Sequence, residues 1–421
     1  MACGAAACGQ RAGSDASGAG DGAGAQVGTD EWQTQSADEV RAARESAAGD
    51  IERFDVRDEY EVTLAIDGLR GARYLEFDDR GTLYVARPGF GDIVSFRDDD
   101  GDGYFERRRT FVSDVRTVTG IQWKDGWVWF SPTDSVQRAR DADGDGRADD
   151  VEVVIGPDRL PHDGMRGHWW RPLLLTEDSI YTSIGDSGNI TDETDTERQK
   201  IWRFDLDGSN KRLFASGIRN TEKLRLRPGT DEIWGADHGS DNFGQRLGER
   251  TGRVQPVTDF LPPDEINRYE EGGFYGHPFI VGDLLVRYEY MDRPNIIELA
   301  SRTIPPKWGL PAHSASNGFC FVQPEIVEAH PDALPPDHAG DMFVACHGSW
   351  NRTEKAGYSI ERILFDEQTG LPYGQLTAVR LLEGDRVLGR PVDCDHAPDG
   401  TILFSEDAVG RVYGIRKRQG D

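Results

Sequence analysis

The hydrophobic and polar positions of this 421-residue chain form a repeated pattern of short apolar runs separated by turns rich in Asp and Gly. Each unit has an apolar strand, such a turn, and a second apolar strand. The six copies cover Tyr74–Val85, Gly120–Phe130, Trp169–Thr182, Lys223–Trp234, Gly318–Val344 and Pro391–Phe404. A period of about 45 to 60 residues with two or more strands per unit is typical of propeller blades. The pattern therefore predicts an all-β fold, a six-bladed β-propeller of four-stranded antiparallel blades.

A strand near the N-terminus is expected to close the ring. The last copy supplies only three strands, and the run YEVTLAI at Tyr60–Ile66 is rich in residues that favour strands. Added as the outer strand of the last blade, this run would join the two ends of the chain and remove an open sheet edge. We predict a propeller over residues 51–421, preceded by a leader over residues 1–50.

The leader differs in composition from the rest of the chain. Met1–Gly28 is rich in Gly, Ala, Ser and Asp and is expected to be disordered, whereas Asp38–Glu52 predicts a short helix. The run Ala5–Gly9 resembles the end of a lipoprotein signal around Cys8, without the charged and apolar parts of a signal. We expect an extracellular or cell-surface protein, with lipid anchoring as one interpretation and a cytoplasmic protein as the alternative.

Charge and apolar content limit the possible partners. The chain has 48 Lys and Arg against 75 Asp and Glu, a net charge of −27, which argues against nucleic acid as a partner. The acid excess is spread along the chain, which favours a surface adapted to high salt, and a cation-binding surface is the alternative. The sequence has no run of 18 apolar residues, so no transmembrane segment is predicted. Cys320, Cys346 and Cys394 lie in apolar runs and are expected to be buried thiols.

Two acidic loops match the start of a known calcium-binding pattern. Asp141, Asp143 and Asp145 are followed by Gly146 and then by Glu152 at the twelfth position, as in D-x-D-x-D-G-x5-E. The loop that begins at Asp98 repeats the start but has Arg109 at the twelfth position. Each loop is either a structural calcium site or an acidic hairpin turn.

The residues just before each inner strand are expected to surround one mouth of the propeller funnel. These positions are Arg73, Thr119, His168, Arg219 with Asn220, His313 to Asn317, and Arg390. Three arginines and two histidines around one opening suit a ligand with several carboxylates or phosphates, because guanidinium groups match these anions. The alternative is that each Arg pairs with a neighbouring Asp.

Seven motifs carry a family resemblance over roughly residues 60–416. They are SIGDSGN (Ser183–Asn189), ASGIRN (Ala215–Asn220), LPPDEIN (Leu261–Asn267), GGFYGHP (Gly272–Pro278), PAHSASNG (Pro311–Gly318), GDMFVACHGSWNR (Gly340–Arg352) and GRPVDCDHAPDG (Gly389–Gly400). In this order they resemble the soluble pyrroloquinoline-quinone (PQQ) sugar dehydrogenases, especially the sorbosone or aldose sugar dehydrogenase branch.

The resemblance implies a role for each of several funnel residues. His168 would be the general base that takes the proton of the sugar C1 hydroxyl, and Asp186 would hold the His168 ring. Arg219 and Asn220 would face the quinone carbonyls, with Arg219 stabilising negative charge, and Arg390 would bind a cofactor carboxylate. The alternatives are that His168 is a capping residue and that Asp186 is a turn residue.

The remaining implied contacts concern a third cofactor contact and calcium. The lysine of the best-studied branch is absent, so His347 or Arg352 would take its place. Calcium would be bound by the main-chain carbonyls of Gly239 and Ser240 in the ADHGSD turn.

The resemblance thus implies a PQQ- and Ca²⁺-dependent oxidoreductase that oxidises an aldose, or a related sugar aldehyde or polyol. The sequence does not identify the electron acceptor. A non-catalytic binding propeller is one alternative. A calcium-dependent sugar lactonase is the other, although a lactonase would need carboxylates converging where this chain has Arg and His.

Overall fold

The computed structural model describes residues 25–28, 30–115, 117–160, 167–243 and 256–419. Within them, six small antiparallel sheets stand around one axis as the blades of a β-propeller, which confirms the predicted fold class. The six sequence copies correspond to the inner strands of blades 1 to 6, in chain order.

Each of the first three blades has four consecutive strands, ordered from the axis outwards. Blade 1 consists of Tyr74–Phe77, Leu83–Arg87, Asp92–Arg97 and Arg107–Ser113. Blade 2 consists of Gly120–Lys124, Trp127–Ser131, Val136–Arg140 and Asp150–Ile155. Blade 3 consists of Leu174–Leu175, Ser179–Ile184, Lys200–Asp205 and Arg212–Ser216.

The last three blades follow the same plan with more irregular connections. Blade 4 consists of Thr221–Leu226, Ile233–Asp237, Asp264–Tyr269 and Trp308–Leu310. Blade 5 consists of Ser316–Phe321, Met342–Cys346, Ser359–Phe365 and Pro372–Arg380. Blade 6 consists of Pro391–His396, Ile402–Glu406, Arg411–Lys417 and, from the start of the propeller, Tyr60–Ile66.

The ring is closed as the sequence predicts. Tyr60–Ile66 pairs antiparallel with Arg411–Lys417 at the outer edge of blade 6. The inner strands of neighbouring blades are in contact all the way round, and the inner strand of blade 6 contacts that of blade 1. The ends of the propeller are therefore joined by a row of main-chain hydrogen bonds.

Both faces of a blade are buried against its neighbours, which explains the continuous apolar runs in the sequence. In the strand Leu83–Arg87, Leu83 and Val85 join the hydrophobic cluster shared with blade 6. Tyr84 and Ala86 point the other way, into the cluster shared with blade 2. Strands buried on both faces are apolar throughout instead of alternating with polar residues.

Several shorter elements surround the blades. The two-residue strands are Gln26–Val27 and Gln33–Thr34 on blade 1, Asp55–Val56 on blade 5, Gly273–Phe274 on blade 3, and the pairs Ile280–Val281 with Leu285–Val286 and Leu382–Glu383 with Arg386–Val387. The helices are Ala37–Ile51, Ile296–Arg302 and Pro324–Ala329, with 3-10 turns at Pro256–Asp259, Tyr288–Tyr290 and Pro336–His338.

The helix expected in the leader is observed at Ala37–Ile51. Ser36 caps its N-terminus, and the Glu39 side chain returns to the Ser36 backbone, a capping box that satisfies two free N–H groups. Ala43 and Ala47 of the helix pack into the cluster between blades 5 and 6. The expected disorder of residues 1–24 and the lipidation of Cys8 concern a segment outside the described residues.

Two further sequence expectations concern the thiols and the membrane. Cys320, Cys346 and Cys394 are free and buried, as predicted. In the part of the chain that the structure describes, no helix has the length and apolar character needed to cross a bilayer.

Candidate active site

His168 stands at the funnel mouth because two glycines leave room for it. Gly167 has a positive φ of 66°, and a Cβ there would lie 2.4 Å from the carbonyl oxygen of Asp186. A Cβ on Gly185 would lie 2.8 Å from the His168 Cβ and 2.8 Å from the Arg219 carbonyl oxygen. Gly185 therefore lies between His168 and Arg219, where there is no room for a side chain.

The hydrogen bonds of His168 define its tautomer. Its main-chain N donates to the Asp186 carbonyl oxygen at 2.8 Å, and ring Nδ1 lies 3.1 Å from the same oxygen. A carbonyl oxygen only accepts, so Nδ1 carries the proton of the neutral ring and Nε2 keeps its lone pair. Among the described residues Nε2 has no hydrogen-bond partner. Burial and the nearby Arg219 guanidinium hold the His168 pKa well below its usual value.

Asp186 contacts His168 in a different way from the one implied by the family resemblance. Its carboxylate is fully buried and accepts from His277 Nε2 at 2.7 Å and from Gln199 Nε2 at 3.0 Å. The main-chain N–H of Gly188 donates to its other oxygen. The carboxylate therefore faces His277, and only the main-chain carbonyl of Asp186 orients His168. Burial raises the Asp186 pKa, but His277, the Gly188 N–H and the Arg219 guanidinium together outweigh burial and lower it.

Arg219 and Asn220 are fixed at the start of blade 4, beside His168. Their main-chain N–H groups donate to the two carboxylate oxygens of Asp237, at 2.9 and 2.6 Å. The Arg219 side chain donates to the main-chain and side-chain oxygens of Asn189, at 3.1 and 2.9 Å, and lies 3.4 Å from Asp241. The guanidinium is thus held rigidly, with one carboxylate at its edge.

The turn that carries Gly239 and Ser240 is also held from several sides. The Gly239 N–H donates to Asp264 Oδ1 at 2.9 Å, and the buried Arg287 donates to the Ser240 hydroxyl. Asp241 exchanges two hydrogen bonds with the Asn189 side chain, at 2.8 and 2.9 Å. The carbonyl oxygens of Gly239 and Ser240 accept no hydrogen bond within the described ranges, so both are available to a cation.

Arg390 and His347 form one connected group with Arg73 and Asp407. Arg390 NH2 donates to His347 Nδ1 at 3.0 Å, so the neutral His347 carries its proton on Nε2, which donates to Asp407 at 3.1 Å. Arg73 donates to the other Asp407 oxygen at 2.6 Å. Burial opposes ionisation of Asp407, but His347 and the two arginines lower its pKa to about 2. Burial also lowers the pKa of His347.

Arg352 does not join this group. Its guanidinium donates to the main-chain carbonyls of Ala312 at 3.0 Å and Glu354 at 3.1 Å. Of the two residues that could replace the family lysine, only His347 is in contact with Arg390.

Several buried donors and acceptors around the funnel are unused. Nε of Arg73, Nε of Arg390, both ring nitrogens of His313 and Oδ1 of Asn351 have no hydrogen-bond partner among the residues described. Unsatisfied buried polar groups are rare in folded proteins and indicate a missing partner. The two arginine N–H groups without hydrogen-bond partners suit a planar polycarboxylate. The residues present therefore fit PQQ as well as its calcium ion.

Aromatic rings line the mouth next to these groups. Trp169 and Trp170 stack with their ring centroids 4.3 Å apart, and the Arg73 guanidinium lies 4.8 Å from the Trp170 ring. Trp350 is 65% exposed beside Asn351, which donates to Asp241 at 3.0 Å. Flat aromatic faces of this kind can stack on a sugar ring.

Below the mouth the axis is filled with paired polar and charged side chains. Lys223 Nζ donates to Asp393 at 2.6 Å, and the Tyr74 hydroxyl donates to Glu222 at 2.8 Å. The cavity left between them has a volume of about 10 Å³, enough for one water molecule. A cavity of this size between the inner strands is too small for a cofactor or a sugar.

The acidic loops lie on blades 1 and 2, away from this group. In each loop, carboxylate oxygens of the first, third and ninth residues lie within 4.8 Å of one another. These residues are Asp141, Asp143 and Asp149 in one loop, and Asp98, Asp100 and Glu106 in the other. In both loops the third carboxylate of the group comes from the ninth position, which the D-x-D-x-D-G-x5-E pattern does not specify.

Two residues of the predicted calcium loop point elsewhere. Asp145 pairs with Arg109 at 2.9 Å, and Glu152 pairs with Arg138 at 2.6 Å. Glu152 lies in the regular outer strand Asp150–Ile155, whose pairing with Val136–Arg140 places it opposite Arg138. Calcium binding by either loop stays a prediction.

Sequence reasoning found the ring positions but missed several of their partners. His277, Asn189, Asp241 and Asp407 each fix a predicted site residue from another segment of the chain. His277 and Asn189 lie within the GGFYGHP and SIGDSGN motifs, so the motifs themselves were the available signal.

The fold and site together define a six-bladed propeller whose funnel mouth carries arginines and histidines. The family model described as TrAA12-like matches residues 54–283 and 298–418, and the chain belongs to this family. The resemblance predicted from the seven motifs is thereby confirmed at the level of the family.

The chain is also similar to individual proteins. An uncharacterized protein of Borreliella burgdorferi is 28% identical over 263 residues, which make up 61% of this chain and 62% of that protein. The holo PQQ domain of pyranose dehydrogenase from Coprinopsis cinerea has a TM-score of 0.72 at 18% identity, over 86% of this chain and 97% of that one. A calcium structure of Trichoderma reesei Carbohydrate-Active Enzymes Family AA12 has a TM-score of 0.70 at 19% identity, over 87% and 97%.

Proposed function

We propose that the protein is a PQQ-dependent oxidoreductase that oxidises the C1 hydroxyl of an aldose, or a related sugar. Membership of the TrAA12-like family and the similarity to a pyranose dehydrogenase domain support a sugar oxidoreductase. The observation that carries the proposal is the site itself. A histidine with a free Nε2 stands beside a rigid Arg-Asn pair, in a funnel whose buried arginines have unused donors.

The cofactor site would be formed by groups that the chain holds in place. Arg390 and Arg73 would bind carboxylates, with His347 orienting Arg390 through its Nδ1. The free carbonyls of Gly239 and Ser240 would bind calcium. PQQ and calcium, when bound, would supply an electron-poor carbonyl that accepts a hydride.

His168 would act as the general base. As the C1–H hydride leaves, Nε2 would take the proton of the hydroxyl, and the C1–O bond would become a carbonyl. The low pKa of His168 keeps the ring neutral, and the Asp186 carbonyl keeps the lone pair on the nitrogen that faces the funnel. Arg219 and Asn220 would stabilise the negative charge that develops beside them. Trp169, which covers one face of Trp170, would stack on the sugar ring with its other face.

Dye reduction by the purified protein tests this function. The assay includes PQQ, calcium and a panel of aldoses, and each addition is omitted in turn as a control. The whole assay is repeated in molar salt. We expect turnover that requires both PQQ and calcium. Absence of turnover together with an unchanged PQQ absorbance on mixing would instead favour a non-catalytic binding propeller.

A further inference from the structure

The Asp186 carboxylate accepts from three donors, none of which is His168. His277, Gln199 and the Gly188 N–H all donate to it, and the group is wholly buried. An ionised carboxylate has about four lone-pair positions, so three donors leave little capacity for another. The carboxylate is nevertheless close to His168, because the same residue's carbonyl receives both His168 hydrogen bonds.

After the third strand of blade 4, the chain returns to blade 3 and places His277 next to the Asp186 carboxylate. Gly273–Phe274 pairs in parallel with the outer strand of blade 3. The Tyr275 N–H then donates to Ser216 at 2.8 Å, and the His277 N–H donates to Gly217 at 3.0 Å. The imidazole is buried, and its Nε2 is directed at Asp186. Its position is therefore set by main-chain hydrogen bonds and does not depend on a ligand.

From this geometry we propose that His277 is a positioning residue for His168. It holds the Asp186 carboxylate away from the His168 ring, so that a neutral carbonyl, and not a carboxylate, fixes the Nδ1–H tautomer. The inference rests on the proposed function for the role of His168 as a base.

The consequence of this arrangement concerns the pH range in which His168 is neutral. Within the described part of the chain, the charged and titratable groups that act most strongly on His168 are Arg219, Asp186, His238 and His277. A carboxylate in direct contact with Nδ1 would stabilise the charged imidazolium and raise its pKa. Because His277 holds the Asp186 carboxylate, the carboxylate stabilises the His168 imidazolium less than it would in direct contact. The Arg219 guanidinium disfavours the charged ring further. His168 therefore remains a free base at a lower pH than an ordinary histidine.

Nitrogen-15 NMR of the histidine-labelled full-length protein tests the inference without any sugar or cofactor. The chain has 9 histidines, and the variant H168Q assigns the His168 resonances. In the unmodified protein we expect a neutral Nδ1–H tautomer at His168 and an Nε2–H tautomer at His277. An Nε2–H tautomer at His168 would overturn the inference even if no variant folds.

Three variants extend the test. H277L removes the donor and should raise the His168 pKa by about one unit, whereas H277Q keeps an N–H donor and should restore the original value. H338L removes a buried histidine that contacts Asp337 at 3.0 Å in blade 5, and it should leave His168 unchanged. An unchanged His168 titration in H277L, or an equal shift in H338L, would contradict the proposal.

Kinetics separate this inference from the proposed function. In the reconstituted enzyme, H277L should move the acid limb of the pH profile to higher pH and lower kcat about tenfold, with KM less affected. Absence of sugar oxidation in every variant, with the NMR result as expected, would refute the proposed function and leave the positioning role intact.

Discussion

At the residue scale, His168 depends on its neighbours for every property that a base needs. The Asp186 carbonyl sets the tautomer, and burial and Arg219 lower the ring pKa. The sequence predicts His168 directly before an inner strand, with Asp186 as its partner, whereas the inner strand of blade 3 begins only at Leu174. The sequence did not show that Asp186 contributes a carbonyl, because whether a residue uses its main chain or its side chain is decided by the donors that surround it in three dimensions.

Gly185 provides a residue-scale prediction. In Gly185→Ala the new Cβ would lie 2.8 Å from both the His168 Cβ and the Arg219 carbonyl, so the two segments must move apart. Because small displacements of reacting groups are costly, we expect kcat/KM to fall about 10- to 100-fold in steady-state assays.

Gly49→Ala is the matched control for this change. Gly49 lies in the helix Ala37–Ile51, and a Cβ there meets nothing within 4 Å. Activity should be unchanged and stability equal or slightly higher. Equal activity of the two alanine variants would contradict the close packing of His168 against Arg219.

At the element scale, the turns before the inner strands carry the site, and acidic side chains behind them hold these turns. Asp237 accepts from the N–H groups of Arg219 and Asn220, and Asp264 accepts from those of Gly239 and Ser316. A propeller repeats the same turn in every blade, so residues far apart in sequence converge on one mouth.

Arg390 and Arg352 provide a prediction at this scale. Both were candidates for the cofactor from sequence, but only Arg390 joins the funnel group. Arg390→Leu should weaken PQQ binding about 10- to 100-fold, the value of a charge-assisted hydrogen bond, as measured by calorimetric titration with calcium present. Arg352→Leu should change the affinity less than about threefold. A larger loss in Arg352→Leu would reverse the assignment.

The sequence predicted most elements and only part of the site, for one physical reason. Inner strands, the closing strand Tyr60–Ile66 and the leader helix have periodic or compositional signals that are local. Two-residue strands such as Gly273–Phe274 have no such signal, and that strand starts the return to blade 3 that positions His277. Glu152 was predicted as a ligand from spacing alone, but strand register places it opposite Arg138.

At the scale of the whole molecule, the closing strand is tied in by a buried polar network. Tyr60 contacts His338 Nε2 at 2.7 Å, and Arg362 donates to the same nitrogen at 2.8 Å. His338 must therefore be neutral at Nε2 to accept. Burial and the Arg362 guanidinium lower the pKa of His338 to about 4. Protonation of this ring would place two positive charges side by side at the closure.

This network predicts a pH dependence of stability. The unfolded chain takes up a proton on His338 near pH 6.5, whereas the folded protein resists until about pH 4. The stability from neutral His338 is thus complete above pH 6.5 and is lost as pH falls towards 4, by at most about 3 kcal/mol. H338Q has no imidazole to protonate at this position. The difference in free energy of unfolding between H338Q and the unmodified protein, measured by urea unfolding, should therefore shrink as the pH falls from 6.5 to 4. A constant difference would contradict the network.

The most direct test of the account is single-turnover reduction of the PQQ- and calcium-reconstituted protein by an aldose, followed by cofactor absorbance. The comparison is between the unmodified protein and His168→Gln at equal cofactor occupancy. Loss of a general base should slow sugar-dependent reduction about 10²- to 10⁴-fold while PQQ affinity stays the same. Equal rates in the two proteins, or no sugar-dependent change in absorbance in the unmodified protein, would contradict the assignment of His168 as the base of a sugar-oxidising site.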